Sequence, residues 1–346
     1  MFNKFFLLLL SFALLFSSCT SNDEASSGNF SNGTFIVNQG TFGSGTGTIS
    51  FVNDSEVIED IYTNQNPEFV LGNIAQSIHK FNQKYYIAVN NAAKIVVVNA
   101  DDFKFTGEIS LLLPRYFVTS GNKLYATSWT SDFKTGFINL IDPNTLKVQK
   151  SVAINGLAEK MIEKNGLIYI TVTAGKTEPL NGHVVVYDTQ KEAIQETIKV
   201  GDNSNDIVLD KNGDIWVICG GFNNFNDPTQ NTKGSIHKIV GNKSVFSKPL
   251  SNGAKGMVTN ASQDKVYFLM DRQVFDFDLI NTKNNPKPIA TGAFDAMFME
   301  TQNDHIYLTD VKDYQQKGDV KVINTQGNAI KTINAGVIPG FVYFSN

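Results

Sequence analysis

A short apolar run with an aromatic residue near its centre recurs seven times along this chain of 346 residues, at intervals of 39 to 51 residues. The seven aromatic positions are Phe35, Tyr86, Tyr125, Tyr169, Trp216, Tyr267 and Tyr307. In the clearest repeat, from Gly156 to Gly201, polar turns separate four alternating apolar runs, which predicts four short strands. A repeat of about this length with four strands is typical of a β-propeller. The sequence therefore predicts an all-β fold, a seven-bladed β-propeller of four-stranded antiparallel blades.

Turn-forming residues recur with the same period. In six repeats an Asn or Asp follows the third predicted strand, whereas the fifth repeat has Val240 and Gly241 there. These six residues are Asn53, Asn99, Asp142, Asp188, Asp278 and Asn324. Side chains of Asn and Asp bond the backbone two residues further on, which favours a tight turn. We therefore expect each of them to begin the turn into the fourth strand.

The two ends of the chain complement each other. The first repeat begins on its second strand, GTFIVNQG from Gly33, and the chain finishes with an additional strand, PGFVYFSN. Pairing of Phe341 to Phe344 with Phe35 to Asn38 would complete blade one and close the ring, which removes exposed sheet edges. An eight-bladed or open arrangement is the alternative.

Residues 1–32 precede the predicted propeller, which covers residues 33–346. Lys4 is followed by an apolar run that is too short to span a bilayer as a helix and that ends at FSSC. This pattern predicts a lipoprotein signal peptide over residues 1–19, with Cys19 as the lipidated residue. An ordinary secretory peptide that happens to contain a Cys is the alternative. Residues 20–32 are polar and predict a tether with no packing capacity.

Composition excludes one class of partner. The formal net charge is −4, and Arg115 and Arg272 are the only arginines, which argues against nucleic-acid binding because phosphates demand a dense basic surface. Once Cys19 is acylated, Cys219 has no partner for a disulfide within the mature chain. Cys219 ends the apolar run IWVIC, which favours a buried structural thiol over a nucleophile.

The loops between second and third strands are predicted to lie at the same end of the ring as the links between blades, and they are the long ones. Because blade cores are occupied by packing, we place the functional site on this face. Its aromatic candidates are Phe42, Trp129, Phe133, Phe222, Phe225 and Tyr314, and its amide candidates are Gln39, Asn90, Asn223, Asn224, Asn226 and Gln315. Flat apolar surface with neutral amides suits a large, mostly uncharged ligand that carries amide or hydroxyl groups. The alternative is that these side chains fold back onto their own loops.

Charged residues follow the bend at Pro114 between blades two and three. Arg115 and Tyr116 lie on this link, at the same predicted face, and Glu159 and Lys160 occupy the corresponding link one blade later. Arg115 would meet a phosphate or a partner carboxylate, or else form an ion pair between blades. For Glu159 and Lys160 we expect a solvated or inter-blade pair.

Catalytic patterns are weak in this sequence. The four histidines, His79, His183, His237 and His305, fall in different repeats and at different positions within them, which disfavours a channel metal site. Neither a Gly-x-Ser-x-Gly elbow nor a phosphate-cradling glycine loop occurs. We therefore expect a non-enzymatic protein with no catalytic residues, metal or cofactor.

The segments NGLIYITVTAG, HVVVYDTQKEAIQETIKVG and DKNGDIWVICGG are similar to YncE-like propeller repeats. More narrowly, GTFIVNQGTFGSGTGTISFVN resembles the opening of surface propeller lipoproteins of Bacteroidota, and Asp23 and Glu24 behind Cys19 resemble their acidic export signal. The best understood of these lipoproteins capture cobalamin and pass it to a TonB-dependent transporter. The resemblance implies a lipid-anchored protein on the outer face of the outer membrane that binds a corrinoid. We expect a monomer, in which Arg115 meets the nucleotide phosphate of the ligand.

This resemblance leaves the ligand open. Family repeats often have a Pro in the link between blades where this chain has Leu157 and Ala158. The alternatives are a surface propeller that binds a glycan, another nutrient or a protein, and an enzyme such as a propeller lyase or lactonase.

Overall fold

The computed structural model describes residues 30, 32–43, 45, 47–53, 56–174, 182–224, 226–300 and 302–345. Within these residues the chain forms seven four-stranded antiparallel sheets, which confirms the predicted seven-bladed propeller. Cys19, the predicted signal peptide and Phe225 lie outside the described residues. No helix among the described residues is both long enough and apolar enough to cross a membrane.

The strands follow one another blade by blade. Blades one to three contain β1 (Gly33–Asn38), β2 (Thr48–Val52), β3 (Val57–Ile58), β4 (Ala75–Phe81), β5 (Lys84–Val89), β6 (Lys94–Asn99), β7 (Phe105–Ser110), β8 (Pro114–Ser120), β9 (Lys123–Trp129), β10 (Thr135–Asp142) and β11 (Lys147–Asn155). Blades four and five contain β12 (Leu157–Lys164), β13 (Leu167–Thr173), β14 (His183–Asp188), β15 (Ala193–Lys199), β16 (Ser204–Leu209), β17 (Ile215–Cys219), β18 (Ser235–Val240) and β19 (Lys243–Pro249). Blades six and seven contain β20 (Ala254–Thr259), β21 (Lys265–Met270), β22 (Gln273–Asp278), β23 (Lys287–Thr291), β24 (Ala296–Glu300), β25 (His305–Asp310), β26 (Lys317–Ile323) and β27 (Ala329–Val337), and β28 (Pro339–Ser345) returns to blade one. A short helix, α1 (Ile61–Gln65), and two 3-10 turns, Asn90–Ala92 and Pro228–Gln230, lie between strands.

The recurring aromatic residues hold neighbouring blades together. All seven lie on the second strand of their blade and are buried. Trp216, for example, packs its ring edge-on against Phe246 of its own blade and Phe277 of blade six. The Trp216 indole N–H also donates to Asp210 Oδ2 at 2.9 Å. The hydrophobic core is therefore a series of layers between adjacent sheets.

The predicted Asn and Asp turns also form. Asp188 Oδ1, for instance, accepts from the backbone N–H groups of Gln190 and Lys191 at 2.9 Å. Asn324 Oδ1 makes the equivalent bond with the N–H of Gln326 at 3.1 Å. Bonds of this kind fix the start of the turn at five of the six predicted residues, and Asn99 is the exception, because Asp102 bonds the N–H of Lys104 in that turn.

The C-terminal strand closes the ring as predicted. β28 pairs antiparallel with β1, with Thr34 opposite Phe344 and Val37 opposite Phe341. Because β28 is the inner neighbour of β1 in the sheet order, blade one takes its innermost strand from the C-terminal segment. The innermost strands of several blades line a central channel.

Two faces of the ring differ in their connections. Segments 39–47, 90–93, 130–134, 174–182, 220–234, 271–272 and 311–316 join second to third strands at the face that also carries the links between blades. We call this the loop face, and the opposite one the turn face. Packing begins earlier than predicted on the turn face, because Phe30 is buried against Phe51 and Phe103 and its carbonyl accepts from Tyr85 Oη at 3.0 Å. The prediction that residues 20–32 have no packing capacity is therefore wrong for Phe30, since its ring fills an aromatic cluster that the polar composition around it conceals.

Candidate functional site

The loop face carries a cleft of about 400 Å³ between blades five, six and seven. Its position follows from one short connection. Blade five contributes the long loop 220–234 and blade seven the loop 311–316, but blade six turns within two residues, Asp271 and Arg272, because Met270 pairs directly with Gln273. The short hairpin lies between two longer loops at the position of the cleft.

The cleft has an apolar floor and an aromatic wall. Leu269, Met270 and Val311 are buried beneath it. Phe294 lines it from the link before β24, and Tyr314 lines it from the blade seven loop with 57% of its surface exposed. Exposed aromatic surface above an apolar floor is the usual lining of a site for an organic ligand.

Charged groups line the rim in equal numbers. Asp310 is paired with Lys321 at 2.8 Å, and Lys312 is paired with Asp319 at 3.0 Å. That leaves two carboxylates and two cations on the rim. Asp271 accepts from Asn252 Nδ2 at 2.9 Å on both oxygens, Asp295 Oδ2 accepts from the N–H of Val311 at 3.2 Å, and Lys255 and Arg272 are exposed.

A second group of polar residues lies at the mouth of the central channel. Arg115 Nη2 donates to Glu159 Oε1 at 3.0 Å and to Oε2 at 3.1 Å, and Nη1 donates to Gln76 Oε1 at 2.6 Å. The guanidinium stacks on the ring of Trp129 with its carbon 3.9 Å from the centroid. Of the predicted roles for Arg115, the structure shows the ion pair between blades.

The neighbouring link repeats this arrangement one blade further on. Lys160 Nζ donates to Asp206 Oδ2 at 2.7 Å, and the same oxygen accepts from the N–H of Met257 at 3.0 Å. Burial raises the pKa of Glu159 above its usual value, although Arg115 opposes this shift. Burial favours neutral Lys160, but Asp206 outweighs it together with the other nearby groups and raises the pKa of Lys160. Glu159 and Lys160 therefore form two inter-blade pairs, with Arg115 and Asp206 respectively.

Below this mouth the channel is lined with aromatic side chains. Tyr116, Phe298, Phe341 and Tyr343 line a cavity of about 220 Å³ together with His79. Burial raises the pKa of Tyr116, and its hydroxyl accepts from Gln76 Nε2 at 3.1 Å. Burial lowers the pKa of His79 to about 4, and its Nε2 lies 2.8 Å from Thr119 Oγ1.

The predicted aromatic candidates divide into two groups. Phe42, with 77% of its surface exposed, Phe133 and Tyr314 stand on the loop face. Trp129 meets the ring of Phe133 edge-on and donates its indole N–H to the carbonyl of Ala158 at 2.7 Å. Phe222 is buried. Only Tyr314 of the described candidates lines the cleft.

The predicted amides differ in what their side chains contact. Asn90 Nδ2 donates to the carbonyl of Pro114 at 3.0 Å. Asn224 donates to Gln230 Oε1 at 3.1 Å, and its Oδ1 accepts from the N–H of Asn226 at 2.9 Å. Gln39 packs beside Gly340 near the channel, Asn223 and Asn226 are exposed, and Gln315 lies in the exposed blade seven loop. The structure therefore shows the fold-back alternative for Asn224, whereas Asn90 bonds the first strand of the next blade.

Sequence reasoning missed Arg272, Lys255 and Phe294. Each stands outside the long loops that drew attention to the other candidates. The signal available in the sequence was an unusually short connection, because the sixth repeat alone has only two residues between its second and third strands. A short loop flanked by two long ones indicates a depression.

Catalytic groups are sparse in the described part of the chain. No group of three or more His, Cys, Asp or Glu residues there is arranged to hold a metal ion. Cys219 is fully buried, as predicted, and burial raises the pKa of its thiol to about 12. Both oxygens of Glu159 are occupied by Arg115.

Comparison with known proteins places this architecture in a family. Three solved structures share the fold: a quinonprotein alcohol dehydrogenase-like protein from Bacteroides thetaiotaomicron (18% identity, TM-score 0.67, 92% of this chain and 79% of that chain), a putative 6-phosphogluconolactonase from Bacteroides fragilis (10%, 0.64, 91% and 98%) and the hydrazine synthase of Kuenenia stuttgartiensis (13%, 0.62, 80% and 96%). At such identities they are similar in fold alone. A search of the curated proteins found no match. The family described as a domain of unknown function, DUF5074, matches residues 32–343, and the chain therefore belongs to the DUF5074 family.

Proposed function

We propose that this protein is a non-enzymatic surface lipoprotein that binds a corrinoid on its loop face and delivers it to a TonB-dependent outer-membrane transporter. The observation that carries the proposal is the cleft between blades five, six and seven. It combines exposed aromatic surface, an apolar floor and a rim that offers both donors and acceptors.

A corrinoid requires this mixture of groups. Its macrocycle has apolar edges, and its periphery carries amides that both donate and accept hydrogen bonds. Phe294 and Tyr314 would cover flat apolar surface of the part of the ligand that enters the cleft, while Asp271 would accept from its amides. Since the cleft holds about 400 Å³, only one side of so large a ligand would enter it, and the rest would lie across the loop face toward the channel mouth. A rigid ligand loses little conformational entropy on binding, which favours high affinity.

The remainder of the loop face is suited to a protein partner. Large apolar residues are exposed there around blades one to three, at Phe42, Val70, Leu112 and Phe133. A partner that covered this part of the face would bury these apolar side chains. We assign this part of the face to the transporter, so that ligand and partner would occupy separate regions.

Two alternatives have support of their own. Stacking aromatics beside amides and carboxylates suit a glycan nearly as well. A lactonase-like enzyme is suggested by the similarity in fold to the putative 6-phosphogluconolactonase. It would require the channel mouth to act on a substrate. The ion pairs of Arg115 with Glu159 and of Lys160 with Asp206 occupy the groups that such chemistry would use.

Calorimetric titration of the purified full chain in detergent with cyanocobalamin tests the proposal. We expect stoichiometric binding at micromolar strength or better, with the red chromophore co-eluting with the protein on gel filtration. Tyr314→Ala should weaken binding at least tenfold. The matched control is Ile280→Ala, which removes an equally exposed apolar side chain from the turn face and should change nothing. If the titration releases no heat and the chromophore does not co-elute with the protein, corrinoid binding is refuted. Glycan and protein ligands would then be tested.

A further inference from the structure

Arg272 occupies a backbone position that disfavours it. Asp271 and Arg272 form the whole turn between β21 and β22, with φ of +52° and +59°. A two-residue hairpin turn with two positive φ angles favours Asn or Asp at its first position and Gly at its second. An arginine at this position is strained relative to glycine. Arg272 lines the cleft and is exposed.

The donors of Arg272 are available in the described structure. The guanidinium carries five N–H donors, and no hydrogen bond or ion pair of its side chain occurs among the described residues. The backbone carbonyl of Arg272, by contrast, accepts from the N–H of Gly292 at 2.9 Å, which holds the turn in place. Lys255 lines the same cleft and is likewise exposed. Two cations therefore face an open space with an aromatic wall.

The charge of the rim limits what these cations can bind. Asp310 and Lys312 are neutralised by their partners Lys321 and Asp319. The remaining charges on the rim, Asp271 and Asp295 against Arg272 and Lys255, sum to zero. A polyanion would be repelled by the two carboxylates. A group with one negative charge and oxygens in a fixed geometry would use the fork of the guanidinium without this repulsion.

We propose that Arg272, supported by Lys255, binds a phosphodiester of the ligand in the cleft. The assignment rests on the proposed corrinoid function and identifies the part of the ligand that enters the cleft, namely the nucleotide loop with its phosphodiester. The attached base would pack against Phe294 or Tyr314. This places the anion site on blade six, away from Arg115.

The test compares two probes and two matched turns in the full chain. Cyanocobalamin carries the phosphodiester and base, and dicyanocobinamide lacks both. We expect the native chain to bind cyanocobalamin at least tenfold more tightly, and Arg272→Gly and Arg272→Gln to reduce this preference at least tenfold. Gln83→Gly is the control, because Asn82 and Gln83 form the same two-residue turn on the turn face, with φ of +47° and +58°. Both glycine variants should unfold at a temperature no lower than the native chain, so lost binding would not reflect lost folding.

Salt separates the phosphodiester from the base. Raising the salt concentration from 50 to 500 mM should reduce the native preference and leave that of Arg272→Gly unchanged, because screening acts on the ionic contact and not on stacking. An equal affinity of the native chain for both probes would overturn the assignment while leaving corrinoid binding intact. The assignment would also be overturned if both Arg272 variants kept the preference for cyanocobalamin over dicyanocobinamide, or if Gln83→Gly lost that preference equally. Failure of the native chain to bind either probe would instead refute the corrinoid function and this assignment with it.

Discussion

Removal of Arg115 should leave a charge stranded at the channel mouth. The side chains of Arg115 and Glu159 are only 15% and 12% exposed, and two nitrogens of the guanidinium bond the carboxylate at 3.0 to 3.3 Å. Breaking such a pair from one side costs about 3–5 kcal/mol, whereas replacing both partners by apolar residues is often neutral. We therefore expect Arg115→Met to lower the free energy of unfolding by about 3–5 kcal/mol at pH 8. The double variant Arg115→Met, Glu159→Met should lie within about 1 kcal/mol of the native chain.

The pH dependence follows from the direction of the pKa. Burial already raises the pKa of Glu159, and loss of Arg115 would raise it further because the opposing charge disappears. A carboxyl whose folded pKa lies above its unfolded pKa stabilises the fold only while it is protonated, so its contribution is lost as the pH rises. The single variant should therefore be closest to the double variant at pH 5 and furthest from it at pH 8.

Urea unfolding followed by circular dichroism measures both effects in parallel on the native chain and the two variants. Circular dichroism is preferable to fluorescence because Arg115 stacks on Trp129 and its loss would alter the indole signal. Equal stability of the single and double variants at pH 8 would show that Glu159 is not an isolated buried charge once Arg115 is gone. A larger difference at pH 5 than at pH 8 would refute the pKa argument.

Three further predictions concern the rest of the ring. Because the pKa of His79 is lowered to about 4, neutral His79 stabilises the fold fully above pH 6.5, and this contribution is lost as the pH falls toward 4. Between pH 7 and pH 4 the native chain should therefore lose roughly 3 kcal/mol of unfolding free energy that His79→Gln does not lose, as measured by urea unfolding at both pH values. An unchanged pH profile in the variant would contradict this. Cys219 is fully buried with a thiol pKa of about 12, so a thiol reagent should label it only after denaturation, and rapid labelling of the native chain would show that it is accessible. Deleting residues 339–346 removes β28, exposes an edge of β1 and should yield aggregates on gel filtration, whereas a stable monomer would show that closure is dispensable.

The sequence predicted the ring because its signals repeat. Seven aromatic positions and six turn residues report the same unit, so an irregular copy such as Val240 and Gly241 changes little. The closing pair of strands was also predictable, since an incomplete first repeat and an additional last strand complement each other. Residue type and order alone carried this information.

The site was less predictable because it depends on contacts between blades. Arg115 and Glu159 are 44 residues apart in sequence, and only the ring brings their charges together. Long loops drew attention to Asn90 and Asn224, but Asn224 bonds the backbone of its own loop and Asn90 bonds that of the next blade. The cleft lies above the shortest connection between a second and a third strand, which has only two residues. Arg272 occupies this turn at a position where propensity favours glycine. A rule derived from loop length finds protrusions and not the depression between them.

The position of Phe30 determines how the ring can be held. Its N–H donates to the carbonyl of Asp101 and its ring contacts Phe103, so the chain joins the propeller on the turn face. A lipid anchor at Cys19, as proposed, would attach there, and the ring would rest with its cleft directed away from the membrane. The stretch between Cys19 and Phe30 spans at most about 40 Å when fully extended, whereas a blade of six or seven residues is about 20 Å tall. A segment of that length would allow the propeller to reorient and to direct its loop face toward a partner in the same membrane.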